Sequence, residues 1–373
     1  MWHPNYKFPE SLKSADIRDC TTYFENKFVL MHERIKSVQY QLESEFFSAT
    51  EQHIALVIGP TGVGKSCLAH SLLSACYKNI KDEERYKNLP MVYFEADVHS
   101  TGNFSWKDFY RRLLRTIGEL DDIRVYGKPE LAGGYGARRY TAKNRSEPDL
   151  KSDLQDRLDE YGVRYILLDE IQHIFKYGGK SAERNLDILK SISNKTGCRF
   201  IGLGTYEVSF SVDKSAQLSR RILTVEFPAY AFEASNELKQ FQAAYMGLLA
   251  HMPAEMNQDV VSSVDEVFLG CCGCVGILKE WLNRALVMAL SKNKPVSLEI
   301  LRKTRLKSSQ LKSIAQEISE GKVFFEEPDD RDIAILLGLR GGDVDAVEKP
   351  SQSGARLGNR RPGERKPVRD AVI

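Results

Sequence analysis

No run of apolar residues in this sequence approaches the roughly 20 needed to cross a bilayer. The longest, around residues 54–58 and 165–168, have the length of strands. The first residues, Met1-Trp2-His3-Pro4-Asn5-Tyr6, lack an apolar stretch behind a basic one, so the expectation is a cytoplasmic protein that is neither secreted nor membrane-bound. Excess charge is missing too: 53 basic against 51 acidic residues leave +2, which excludes a uniformly basic nucleic-acid coat but not local basic patches. Cysteine is sparse and odd in number, seven without framework spacing, which reads as reduced thiols rather than a disulfide scaffold. Cys271, Cys272 and Cys274 fit no usual zinc pair and read as small packing residues. No internal repeat is present.

What remains is an ordinary globular composition, 42% hydrophobic and 28% charged over 373 residues, enough for two or three structural units. Apolar steps at Phe28, Met31, Ile35, Val38 and Leu42 predict a docking helix over residues 27–47, within an N-terminal segment 1–50. Short β-like runs then alternate with helical ones: 53–58 before a helix at 64–77, 91–96 before 106–118, 165–168 before 183–194, and 199–203 before 209–219. That alternation predicts an α/β fold with a mostly parallel sheet covered on both faces, its ligand at the strand-to-helix loops of one edge. Past Pro228 the pattern turns all-helical, near 236–250, 259–269 and 275–290 with a shorter helix from Leu298. The resulting division is a core at 51–230, a helical unit at 231–310, a helical extension at 311–339 and a tail at 340–373. The tail is poor in large apolar residues and carries eight basic against five acidic residues, so the rest of the chain is close to neutral. It reads as a disordered basic tail.

Gly59-Pro60-Thr61-Gly62-Val63-Gly64-Lys65-Ser66 matches G-x-x-x-x-G-K-[ST] directly after an apolar strand and at the opening of a helix. In that setting the backbone N–H groups cradle phosphates, Lys65 reaches the β- and γ-phosphates, and the Ser66 hydroxyl ligates Mg²⁺. A second element, Tyr165-Ile166-Leu167-Leu168-Asp169-Glu170, is a buried strand ending in two acids. Asp169 suits the metal and Glu170 the polarisation of an attacking water, a pairing expected of a hydrolase. Thr205, at the end of the following strand, is positioned to orient water or simply to cap a turn. Arg220 and Arg221 close the next predicted helix, either as partners of its dipole or as cations supplied to a neighbouring subunit's nucleotide. Basic residues also cluster at Arg111, Arg112 and Arg115, at 128–145 among tyrosines, and at 302–307.

With Leu168-Asp169-Glu170-Ile171-Gln172-His173-Ile174, Gly202-Leu203-Gly204-Thr205 and Glu207 in view, the chain resembles AAA+ ATPases, and within them the TniB/TnsC-type transposition regulators, over residues 25–305. The resemblance implies a P-loop AAA+ core with an all-helical lid, ATP and Mg²⁺ as ligands, and ATP-dependent assembly into rings or filaments on double-stranded DNA. It further implies a transposase and a target-selection protein as partners, with hydrolysis driving turnover or disassembly. By the same resemblance Thr205 is sensor 1, and Arg220 or Arg221 is the arginine finger. The second sensor is usually an arginine; here Lys279 stands in that neighbourhood, and lysine cannot reproduce a planar fork. The competing readings are an ATP-gated scaffold and an AAA+ loader or remodeller acting on another protein assembly.

Overall fold

The computed structural model describes residues 6–48, 52–78, 89–96, 104–126, 145–175, 179–209, 222–326, 335 and 337. The chain divides into two compact units, Met1–Phe325 and Glu326–Ile373, and all the elements below belong to the first. Five strands, β1 (Ile54–Ile58), β2 (Met91–Glu95), β3 (Tyr165–Asp169), β4 (Arg199–Gly204) and β5 (Ile222–Glu226), form one sheet in the order β2-β3-β4-β1-β5. Every pairing is parallel. Because the strands share one direction, their C-terminal ends lie along a single edge. Ile58 is level with Gly204 and Glu226, Leu168 with Gly202, and Glu95 with Asp169. The alternation of strand and helix in the sequence is what demands this arrangement, since parallel neighbours need long crossovers.

Both faces of the sheet are covered. All five residues of β1 are buried, with Ile54, Leu56 and Ile58 in one apolar cluster and Ala55 and Val57 in another. That is why the strand reads as a continuous apolar run rather than an alternating one. The face holding Ala55 and Val57 is covered by α3 (Lys65–Lys78), through Leu68, Ala69 and Leu72, and by the N-terminal segment. The opposite face packs α4 (Trp106–Tyr126), α5 (Glu147–Glu160) and α7 (Gly179–Thr196). Helix α5 opens on a capping box in which Ser146 and Asp149 satisfy each other's backbone N–H groups, with Pro148 in the first turn.

The N-terminal segment comprises α1 (Ile17–Thr22), a π-helical turn at Tyr23–Lys27, α2 (Glu33–Gln41) and a second π-helical turn at Leu42–Phe47. Arg199 pins its end to the sheet. The guanidinium lies 3.9 Å from the Phe46 ring centroid and donates to Phe46 O and Gln52 O. Beyond β5 come α8 (Ser235–Ala250), α9 (Gln258–Ser262), α10 (Val264–Cys271), α11 (Val275–Ser291) and α12 (Leu298–Thr304). The fully buried Trp281 lies in their apolar cluster, and its indole N–H donates to Leu301 O at 2.8 Å. A final helix, α13 (Ser308–Phe325), follows. A short α6 (Gln172–Phe175) links β3 to α7. No described helix is long and apolar enough to cross a membrane.

The structure adjusts several expectations. The predicted helix at 27–47 begins only at Glu33. Phe28 instead stacks on His251 at 4.0 Å and gives its carbonyl to Lys279, contacts that helix periodicity cannot register. The helix at 259–269 breaks at Ser263, and the helix from Trp106 continues to Tyr126. Helix α5 and strand β5 had no counterpart in the sequence reading, and the helix expected at 209–219 falls outside the described residues apart from Ser209. Phe200, fully buried at the middle of the sheet in β4, supplies a test of the core. Phe200→Ala is expected to cost about 3–5 kcal/mol of unfolding free energy, read by urea denaturation; a loss below 1 kcal/mol would contradict this packing.

Candidate functional site

At the C-terminal edge of the sheet, the loop from Gly59 to Gly64 leads from β1 into α3, whose first residues are Lys65 and Ser66. Gly62 has φ 74°, and a side chain there would run into Ile277; a side chain on Gly276 would in turn meet Gly62 O. The start of α11 therefore lies directly on the loop, and Ile277 N–H donates to Gly62 O at 3.1 Å. Lys65 is 9% exposed and donates to Gly59 O and Pro60 O at 2.8 and 2.9 Å. Burial pulls its ammonium below the ordinary lysine range, and the carboxylates of Glu317, Glu170 and Asp169 oppose that shift.

The structure brings the two sequence-predicted acids to the same edge. Asp169 is 4% exposed, and its Oδ2 accepts from Ser66 Oγ at 3.2 Å and from Tyr93 OH at 2.9 Å. Its Oδ1 accepts the Glu170 N–H at 2.9 Å. Glu170 sits at φ 54°, an uncommon backbone for a non-glycine residue, and its Oε2 accepts from Gln172 Nε2. Strain of this kind clusters at functional positions. Thr205 follows β4, between the loop after β1 and the acids after β3, and its buried Oγ1 has no hydrogen-bond partner among the described residues.

The donor set fits a nucleotide with Mg²⁺. A hydroxyl and a carboxylate oxygen 3.2 Å apart suit a hard cation that takes one or two protein oxygens and completes its shell with phosphates and water. The described residues hold no group of three or more His, Cys, Asp or Glu that would form an all-protein cage. The loop supplies backbone N–H groups and the Lys65 ammonium for anionic oxygens.

Residues 49–210 match a family model described as an AAA domain. This stretch is an AAA-type P-loop domain, and the five-stranded parallel sheet is the AAA+ P-loop fold. Among solved structures, the chain is similar to the Aeropyrum pernix ORC2 protein in its ADPNP-ADP complexes, with 18% identity over 78% of this chain and 74% of that one, at TM-score 0.46. It is similar to a Walker-type ATPase of Pyrococcus abyssi, with 14% identity over 80% and 75%, at TM-score 0.47. A third similarity is to the Aeropyrum pernix ORC1 protein in complex with DNA, with 15% identity over 85% and 74%, at TM-score 0.49. No curated protein matches the sequence.

Other sequence expectations take definite places. Lys279 donates to Glu25 O and Phe28 O at 2.9 and 2.7 Å, so its recorded partners belong to the N-terminal segment rather than the phosphate loop. Arg220 and Arg221 lie outside the described residues, as do residues 128–144 and the tail from Arg340. Arg302 forms a two-pronged pair with Glu266, and Lys303 pairs with Glu299. His173 N–H donates to Glu170 O at 3.0 Å.

Three contributors to the site carried no signal in the sequence, Tyr93, Glu317 on α13 and His32, while Gln172 stood in the stretch that carries the resemblance but had no role assigned to it. His32 is 6% exposed, shares a 3.1 Å hydrogen bond between Nδ1 and Tyr230 OH, and sits close to Gly64 and the Phe227 ring. Burial, reinforced by Arg34 and Lys36 and opposed by Glu33, pushes its imidazole down to about 4. The neutral form is therefore built into the fold. Its stabilisation is complete above the unfolded value near 6.5 and is lost as pH falls from there toward 4, by up to about 3 kcal/mol. His32→Gln is expected to flatten the loss of stability between pH 7 and pH 4.5 in urea unfolding. An identical loss in both proteins would show that His32 is not kept neutral.

Proposed function

We propose that the chain is an ATP hydrolase whose nucleotide state controls its assembly on double-stranded DNA. The observation that carries the hydrolase reading is the 3.2 Å approach of Ser66 to Asp169, with Lys65 on the same edge of the sheet and Glu170 next in sequence. Gly59, Pro60, Thr61, Gly62, Val63 and Gly64 wrap the phosphates, and Lys65 turns from the loop carbonyls to the phosphate oxygens. Ser66 and Asp169 hold Mg²⁺, which when bound neutralises charge on those oxygens. Glu170 polarises water, and its bond from Gln172 keeps the carboxylate oriented. Thr205 donates its hydroxyl, which has no partner among the described residues, to the water or the terminal phosphate. Arg220 or Arg221 completes the site of an adjoining subunit. Lys279 acts as the second sensor only if it leaves its two carbonyl partners.

The biological role rests on the Asp169-Glu170-Ile171-Gln172-His173 stretch and its resemblance to the TniB/TnsC-type regulators. In this reading the protein forms a ring or filament on DNA, marks a target site, and recruits a transposase together with a target-selection protein. The core is 51–230 and the lid 231–310, with the docking segment 1–50, the extension 311–339 and the basic tail 340–373 attached. A chain that is nearly neutral outside its tail offers few phosphate contacts per subunit. Affinity for DNA then comes from repeating those contacts along an assembly, which is why ATP and DNA binding are coupled.

Lys65→Ala is expected to weaken nucleotide binding at least tenfold by calorimetry. Glu170→Gln is expected to bind normally and to hydrolyse about 10²-fold more slowly or worse. Full turnover by Glu170→Gln would remove the proposed role of that carboxylate. Electron microscopy of the protein with duplex DNA and a non-hydrolysable ATP analogue tests the assembly. DNA-bound rings or filaments that require the analogue are expected, whereas oligomers indifferent to DNA would favour the scaffold reading.

A further inference from the structure

Helix α13 begins only four residues after α12, yet it reaches both the phosphate loop and Tyr206 after β4. Its placement is held by contacts distant in sequence. Cys272 Sγ donates to Leu311 O at 3.6 Å. Gly321 lies flat against the Tyr206 ring, where any side chain would collide, and the Phe325 ring meets the same tyrosine edge-on at 6.1 Å between centroids. Between these anchors, Glu317 Oε1 accepts the backbone N–H of Thr61 at 3.2 Å. Glu317 also exerts the strongest pull of the three carboxylates acting on the Lys65 ammonium. A pocket of about 400 Å³ opens here, lined by Thr61, Thr205, Glu207 and Glu317 among others.

The chemistry of this contact is that of a competition. The N–H groups of the loop and the Lys65 ammonium are the donors that the phosphate chain of a nucleotide uses, and Glu317 occupies one of those N–H groups, that of Thr61, while its charge acts on Lys65. A terminal phosphate arriving there meets one negative charge already in place, against which it is repelled, and one loop donor already taken. We propose that Glu317 is a built-in competitor for the terminal phosphate, so that binding a nucleoside triphosphate drives α13 off the phosphate loop whereas a diphosphate leaves it seated. This rests on the nucleotide reading of the loop given above and adds the regulation of that site. Glu317 thereby sets the preference between the two nucleotides. Withdrawal of α13 also uncovers Tyr206 and the mouth beside Thr205, so the phosphate count is converted into a change of surface. A ligand shifts such an equilibrium only through its unequal affinity for the two states, and the carboxylate supplies that inequality.

Glu317→Gln keeps the shape and an acceptor for Thr61 while removing the charge. Calorimetry on the full chain with Mg²⁺ is expected to show the variant binding a non-hydrolysable ATP analogue about tenfold more tightly than the wild type. Its affinity for ADP should change less than threefold. Equal affinity of the two proteins for the analogue, or equal tightening for both nucleotides, would overturn the proposal. Hydrogen exchange over Ser308–Phe325 gives an independent measure: the analogue should accelerate it in the wild type and ADP should not, and unchanged protection with bound analogue would also overturn it. If neither protein binds either nucleotide, the reading of the loop itself fails and the inference falls with it. That outcome is distinct from normal binding that ignores residue 317.

Discussion

The phosphate loop is the point on which the rest of the molecule converges, and it can be so because its backbone is bare. Gly62 and Gly276 meet with no room for a side chain on either, which lets the first turn of α11 bond to the loop through Ile277 N–H. The same short stretch is flanked by Phe227 after β5, by His32 of the N-terminal segment and by Glu317 of α13. Parts of the chain separated by more than 280 residues thus touch a loop of six. A backbone segment held from several sides cannot shift without moving at least one neighbour, because packed interiors transmit displacement rather than absorb it.

The electrostatics follow the same geometry. The charges of Asp169, Glu170 and Glu317 all act on the buried Lys65 ammonium, and only Lys65 is a fixed part of the loop's own helix. Asp169 is held by hydroxyls from Ser66 and Tyr93, so its orientation is determined by α3 and by the edge strand β2 together. Glu170 depends on a left-handed backbone and on the amide of Gln172. The carboxylates are therefore oriented by different elements and by bonds of different kinds, which permits one to move while another stays.

How much of this was legible in the sequence depends on the range over which each contact acts. The glycine-rich loop and the acid pair could be read because each is a strand followed at once by its polar residues, and the parallel sheet then brings them to one edge without further information. Tyr93 could not be read: its hydroxyl matters only because β2 lies beside β3. Glu317 was invisible for a stronger reason, since α13 reads as a generic amphipathic extension and only its return across the loop gives one of its acids a partner. Strand β5 was missed because only Ile222 and Val225 of it are buried, so it lacks the continuous apolar run of β1, and α5 because its amphipathic pattern follows the glycine-rich stretch at 128–145. The early break at Phe28–His32 belongs to the same class, a local helical preference overruled by tertiary bonds to His251, Lys279 and Tyr230.

Two helices that follow β5 hydrogen-bond to the loop, α11 and α13, and they do so with opposite chemistry. Helix α11 offers an N–H to a loop carbonyl, a contact that leaves the loop's donors free and does not oppose an anion. Helix α13 offers a carboxylate to a loop N–H, a contact that uses one donor and adds negative charge. A terminal phosphate brought up to Thr61 therefore acts on the two unequally: it is compatible with α11 and in conflict with α13. Because both helices follow β5 and are joined through α12, a conflict felt at Glu317 is referred back to the same helical layer whose first contact, at Ile277, is undisturbed. That asymmetry lets a single loop keep one neighbour while releasing another, which a loop touched by only one helix cannot do.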